Sequence, residues 1–326
     1  MLDGIEQLAR KHRVRPPAHV GQSRRFVTAI DVVGTRLMPT KVWLSTHARP
    51  LNPEDATISV LDRGFLYGDS VYETLRTSGG KVVELEAHLE RLDHSAAGIA
   101  FEQPFEHAAI TRALSDTIEA ASNPESRIRL IVTRGTGPLT LDSRVAESPL
   151  LAIIVQPLVL PSADDYERGI VAVVVGDRGG AVRPGLKTGN YLGNILALRR
   201  AHDLGAEDAI MCNGGAVAEG ATSNVFMIVG GEAHTPSLMT GLLAGITRQS
   251  IIDLLRDRLG IRVHERTITP DELRAADEVF LTASVRGVMP VSTLDGEVVG
   301  KGSCGPVTRR VIDAYNAYLD QVARGG

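Results

Sequence analysis

From Lys41 onward, segments of strand length and amphipathic helical stretches follow one another without the strict strand-helix alternation that a doubly wound parallel sheet requires. Residues 41–45 (KVWLS), 56–61 (ATISVL), 70–78 (SVYETLRTS) and 81–85 (KVVEL) read as strands, with Gly79 and Gly80 as a hairpin turn and Asp62-Arg63-Gly64 as a break. A helix over 86–100 puts Leu89, Leu92, Ala96 and Ile99 on one apolar face with Arg91 beside it, and a second helix covers 106–122. Residues 127–133 form a strand with Arg127 and Arg129 on one side. The buried strand 150–155 runs into QPLVLPSADD at 156–165, which has linker composition. Beyond it come strands at 170–175, 209–212 and 225–229 and helices at 191–204 and 246–259, the last closed by Gly260. The expectation is an α+β or irregular α/β body in two domains: an extension at 1–40, a small domain at 41–155, a linker at 156–165 and a large domain at 166–326.

The bulk numbers exclude several classes of function. Apolar residues make up 43% and charged residues 23% of 326, and no apolar run approaches the roughly 20 residues that span a bilayer. A net charge of −4 gives no global positive field for nucleic acid, so small molecules or a second copy of the chain are the expected partners. Cys212 and Cys304 lie far apart and match neither a disulfide framework nor a zinc site, so no metal and a reducing cytoplasm are expected. The first forty residues are Arg-rich with two prolines at 16 and 17; Asp3 and Glu6 count against a transit peptide, and a surface arm is the plainer reading.

Four local features carry chemistry. Lys187 sits between Gly185 and Gly189 just ahead of a helix, whose dipole would ease formation of the neutral amine that imine chemistry needs. Taken alone, it also reads as a solvated loop lysine. Glu219 has small neighbours and precedes an apolar strand, so it could approach a flat ring edge-on and, ionised, hold a pyridine nitrogen protonated; it could equally be a surface turn residue. GLLAGITR at 241–248 leads two glycines into a helix whose first turn carries Thr247, which suits a phosphate or a simple cap. Residues 61–76 concentrate two glycines, two tyrosines and two arginines in a strand-turn-strand region.

Together and in this order, DRGFLYGD with VYETLR, HLERL at 88–92, KTGNYL from Lys187, EGATSNVF from Glu219, GLLAGITR, and ADEVFLTAS at 276–284 followed by Met289-Pro-Val291 resemble the class IV aminotransferases, the fold type IV pyridoxal-phosphate enzymes. The resemblance covers 41 to about 315 and takes in branched-chain and D-amino acid aminotransferases, R-selective amine transaminases and aminodeoxychorismate lyase. It implies a small N-terminal α/β domain and a larger β-barrel-like C-terminal domain, pyridoxal 5′-phosphate as cofactor, and a homodimer with a shared active site. By the same resemblance Lys187 forms the Schiff base, Glu219 partners the pyridine nitrogen, Tyr191 lies near the phenolic oxygen and Asn224 lies close to the cofactor. Arg91, Ile246, Thr247 and Ser284 match the phosphate cradle. Tyr67 matches a residue that reaches the substrate from the neighbouring subunit, and Tyr72, Arg76, Arg129, Val285 and Arg286 complete the implied substrate side.

Departures bear on the substrate. The spacing Lys187-Thr-Gly-Asn190 is one residue shorter than the usual branched-chain pattern and resembles the D-amino acid and lyase branches, yet the Arg-x-His pair of many D-amino acid enzymes is missing, GTGPLTLD at 135–142 taking its place. Arg129 matches the arginine of a branched-chain Tyr-x-Arg motif in which Arg127 replaces the tyrosine. The implied reaction is transfer of an amino group between a small amino acid and a 2-oxo acid, with aminodeoxychorismate lyase chemistry as the alternative.

Overall fold

The computed structural model describes residues 40–177 and 185–325, so the expectations for the N-terminal extension lie outside the described residues. The first part of the chain runs β1 (Lys41–Leu44), α1 (Arg63–Tyr67), β2 (Ser70–Ser78), β3 (Lys81–Val82), α2 (Leu85–Gly98), α3 (His107–Ala121), β4 (Ser126–Thr133) and β5 (Leu150–Pro157). Its strands form one antiparallel sheet in the order β1-β5-β4-β2-β3. Alternation decides which face is covered: Ile128, Leu130 and Val132 of β4 and Val71 and Leu75 of β2 are buried against Leu89 and Leu92 of α2 and Ile110 and Leu114 of α3. Arg127, Arg129 and Ile131 therefore face the other way.

After β5 the chain enters α4 (Ala163–Arg168), β6 (Ile170–Asp177), α5 (Leu192–Asp203), β7 (Asp208–Asn213), β8 (Ala216–Gly220), β9 (Asn224–Val229), β10 (Glu232–Pro236), α6 (Ile246–Asp253), β11 (Val263–Arg266), α7 (Pro270–Arg274), β12 (Glu278–Ala283), β13 (Gly287–Leu294), β14 (Glu297–Val298) and α8 (Pro306–Arg324). A nine-stranded mixed sheet runs β11-β10-β9-β12-β13-β6-β7-β8, with β14 paired to β13. The sheet curls: β8, last in that order, comes back against β9 and β10. The result is the two-domain α+β fold the sequence implies, with a half-barrel as its larger part.

Three expectations change. Residues 56–61 are not a strand; they run exposed and find no partner strand, so β-forming side chains alone did not make a ladder. Asp62 does not break the chain but caps α1, its carboxylate accepting from Gly64 N at 2.8 Å. The helix from Ile246 ends as a π-turn over Leu254–Arg258 before Gly260 takes φ +65°.

Candidate active site

A cavity of about 840 Å³ opens between the two sheets. The segment with Lys187 is stitched to β2: Tyr72 N donates to Lys187 O at 3.1 Å, Gly189 N donates to Ser70 O at 2.8 Å, and Thr188 bridges Val71. From the other side Lys187 N donates to Ser95 Oγ of α2 at 3.2 Å. Such closeness needs glycine, because a Cβ at 189 would lie 2.3 Å from Ser70 Oγ.

The Lys187 amine points into the cavity with Nζ 4.6 Å from the centre of the Tyr72 ring. Its pKa falls to about 8, chiefly because burial penalises the ammonium, with Arg91 and Arg129 pushing the same way and Glu73 and Glu219 opposing. The helix dipole is not the cause, since α5 starts only at Leu192. Tyr72 is itself enclosed: Tyr191 meets it edge-on at 5.6 Å, and Arg129 Cζ stands 4.1 Å over its ring. Burial drives the Tyr72 phenol above the ordinary range, and Tyr191 adds to the rise.

The opposite wall belongs to the half-barrel. Glu219 on β8 is buried and its Oε2 accepts from Leu243 N at 2.9 Å, while Asn224 on β9 donates from Nδ2 to Leu243 O at 2.9 Å. The loop before α6 is thus fixed at both ends of one residue. Gly245 caps α6 without any side-chain cap, and a Cβ there would sit 1.9 Å from Asn224 Oδ1. The first amides of α6 are left to a ligand or solvent. Thr247 Oγ1 lies 3.5 Å from Ser284 Oγ, both on the cavity wall.

Arg91 reaches the same end from α2. Its Nε and Nη2 donate to the two oxygens of Glu73 at 2.8 and 2.6 Å, and its Nη1 donates to Ala244 O at 2.9 Å. Glu73 was not singled out from sequence, although the signal existed: in SVYETLRTS it shares a face with Val71 and Leu75, which are core. Ser223 and Thr282 also line the cavity and were not expected there; each hydroxyl is buried without a partner among the described residues.

The expected residues divide. Arg91, Lys187, Tyr191, Glu219, Asn224, Ile246, Thr247 and Ser284 line one cavity, and Tyr67 stands at its rim, in its own chain, with Arg63 Cζ 5.1 Å over the ring. Tyr72 and Arg129 are not on the cavity wall themselves; they adjoin it through Lys187, whose Nζ and the Arg129 guanidinium both lie against the Tyr72 ring. Arg76, Val285 and Arg286 do not line the cavity. Arg76 is buried and donates to Thr77 O and Val285 O, so it ties the small domain to the turn after β12. Arg286 is ion-paired with buried Asp208.

The sequence matches the family model of amino-transferase class IV over residues 70–294. The chain is a class IV aminotransferase. A putative branched-chain-amino-acid aminotransferase of Methanocaldococcus jannaschii is 32% identical over 84% of this chain and 95% of its own. A D-alanine aminotransferase of Bacillus licheniformis is 30% identical over 85% and 98%. Among solved structures, the branched-chain amino acid aminotransferase of Escherichia coli superposes with a TM-score of 0.81 at 29% identity, covering 86% of this chain and 95% of that one.

Class IV aminotransferases depend on pyridoxal 5′-phosphate, and similar structures are solved with it or with its pyridoxamine form. The residues present suit that group. An uncapped helix start, a guanidinium and the Thr247 and Ser284 hydroxyls meet at one end of the cavity, as a phosphate requires, and a readily neutralised lysine, a buried carboxylate and two buried hydroxyls with no partner among the described residues stand on the same wall. Among the described residues no helix is long and apolar enough to cross a membrane, and no cluster of metal-binding side chains occurs.

Proposed function

We propose that this aminotransferase moves the amino group of a small amino acid, of the branched-chain L or the D type, to a 2-oxo acid, with Lys187 anchoring the cofactor as a Schiff base. The observation that carries the reading is the position of Lys187 on the wall of the same cavity as Glu219 and the open end of α6, where desolvation also lowers its pKa to about 8. When bound, the cofactor supplies an electron-poor ring that accepts the electrons released at the substrate α-carbon.

The rest of the chemistry falls to this chain. Arg91, the Ile246 and Thr247 amides and the Thr247 and Ser284 hydroxyls grip the phosphate, and Glu219 keeps the ring nitrogen protonated. Tyr191 would orient the phenolic oxygen, and Lys187 Nζ would carry the proton taken from the substrate α-carbon. Arg129 receives a substrate carboxylate. Its support is electrostatic: Arg127 and Arg129 share one strand face, burial and the neighbouring Arg129 charge lower the pKa of Arg127, and Arg129 has no carboxylate partner among the described residues.

An absorption spectrum with a panel of L- and D-amino donors tests the reading. Conversion of the bound cofactor to its pyridoxamine form supports transamination, whereas pyruvate release from aminodeoxychorismate without that conversion would replace it with the lyase.

The working form proposed is a cytoplasmic homodimer. Val60 is 70% and Phe65 67% exposed, with Ile58 and Leu61 beside them, on the stretch that leads to Tyr67 at the cavity rim. An apolar surface of this kind is normally covered, and a second copy would place two active sites at a shared border. Sedimentation of wild type and Phe65→Glu tests it: equal masses at monomer size for both would remove the dimer. A sequence with only two cysteines, far apart at 212 and 304, supports the reducing compartment.

A further inference from the structure

Glu73 stands where an apolar residue is expected. It is 0% exposed, on the core-facing side of β2 between fully buried Val71 and Leu75. A carboxylate there is costly to desolvate unless both oxygens are satisfied. Arg91 donates to each oxygen, and His88 Nδ1 lies 2.7 Å from Oε2. Burial lowers the pKa of His88, and because an ionised carboxylate can only accept, it is His88 Nδ1 that carries the hydrogen in this contact.

The fork leaves Arg91 a defined direction. A guanidinium has five N–H groups; two go to Glu73 and one to Ala244 O, which leaves two for a ligand. Ala244 directly precedes the Gly245 cap, so a cation is fixed at the positive end of a helix. That placement is unfavourable by itself, and a nearby counter-charge together with an arriving anion reverses the balance.

We propose that Glu73 is a positioning residue of this active site, which aims Arg91 at the phosphate end of the cavity and places a permanent negative charge in the field of Lys187. The proposal rests on the roles given above to Arg91 and Lys187. Although burial raises the Glu73 carboxyl, the Arg91 and His88 bonds outweigh it and bring it to about 2, so it stays ionised wherever the enzyme works. The charged groups that act on Lys187 are Glu73 of β2, Arg91 of α2, Arg129 of β4 and Glu219 of β8, and Glu73 is the foremost of those that favour the ammonium.

The test uses apoprotein of the wild type, Glu73→Gln and Glu73→Asp. Affinities are measured for pyridoxal 5′-phosphate and for pyridoxal, which lacks the phosphate, and Lys187 is labelled with pyridoxal and borohydride across pH. In Glu73→Gln the phosphorylated ligand should weaken about tenfold or more while pyridoxal is unchanged, because only the phosphate reads the aim of Arg91. The midpoint of labelling should move about one unit to lower pH, since removal of a neighbouring anion disfavours the ammonium. Glu73→Asp keeps the charge on a shorter stem, so it should lose phosphate preference but keep the wild-type midpoint. Wild-type preference in Glu73→Asp, which decides the matter even if the Gln variant does not fold, overturns the proposal. So does an equal loss of both ligands with an unmoved midpoint, the signature of mere destabilisation. A wild type that shows no preference for the phosphorylated ligand, or labels at another lysine, instead removes the underlying roles of Arg91 and Lys187, and the proposal with them.

Discussion

Glu219 accepts the amide hydrogen of Leu243 at 2.9 Å, two residues ahead of the Gly245 that caps α6. One carboxylate therefore bears on both ends of the proposed cofactor site: it is itself the group proposed for the ring nitrogen, and it holds the loop that leads to the amides proposed for the phosphate. Glu219→Gln keeps an oxygen for Leu243 but cannot hold the ring nitrogen protonated. Proton removal from the substrate should slow about 10²- to 10⁴-fold while cofactor affinity changes little. Single-turnover rates equal to wild type would refute the assignment.

Lys187→Ala should abolish turnover and leave phosphate-anchored binding in place. In wild-type apoprotein, trapping of an aldehyde at Lys187 should rise as pH passes through about 8, because the neutral amine is the nucleophile and its proton leaves there. Peptide mapping after borohydride reduction reads this directly, and a midpoint near the ordinary lysine value of about 10.4 would show that burial does not act as described.

Acid should probe Glu73. Its folded pKa is depressed from 4.5 to about 2, so its contribution to stability is complete above about 4.5 and is lost as pH falls through 2. The shift corresponds to roughly 3 kcal/mol. The gap in unfolding free energy between wild type and Glu73→Gln should therefore narrow over that window in a pH series of denaturant titrations. A constant gap would mean that the carboxylate's charge contributes nothing.

How much of this was written in the sequence depends on what period and spacing encode. Leu89 and Leu92 gave the buried face of α2, and Lys187, Glu219 and GLLAGITR lie on one cavity as their shared motif order implied. Alternation reports a face but not a position along it. Arg76 lies on the same side of β2 as Tyr72, yet four residues carry it about 13 Å further, past the cavity and onto the Val285 carbonyl. Spacing to a helix likewise suggested why Lys187 would be acidic, whereas burial, a property of the assembled sheets, is the cause. Helix α8 is legible in the sequence too: Val311, Tyr315 and Leu319 recur at four-residue steps behind Pro306, with Ile312 on the same face.

Arg129→Met separates substrate recognition from architecture. With Arg76 and Arg286 engaged elsewhere, Arg129 is the one left of the three arginines weighed for a substrate carboxylate. A carboxylate-bearing donor should lose about ten- to a hundredfold in kcat/KM, and an amine without a carboxylate should not. Equal losses would make Arg129 a prop for Tyr72, on whose ring it rests.

The interior of the small domain carries its stability. Leu92, fully buried on α2 among Leu89, Ile128 and Leu130, should cost about 2–5 kcal/mol when replaced by alanine, measured as a shift in denaturant midpoint at unchanged slope.

The missing side chain at 245 also has an evolutionary consequence. Because the nearest atom to a Cβ there, at 1.9 Å, is the oxygen of the Asn224 amide that steadies the loop, no ordinary residue could enter without displacing it. A new residue at this position must push the Asn224 amide aside or be preceded by a change at 224, and either step releases the Leu243 carbonyl. The two sites are thus coupled in descent as well as in space: a library randomised at 245 alone should return glycine, and any descendant that departs from it should carry a second change at 224.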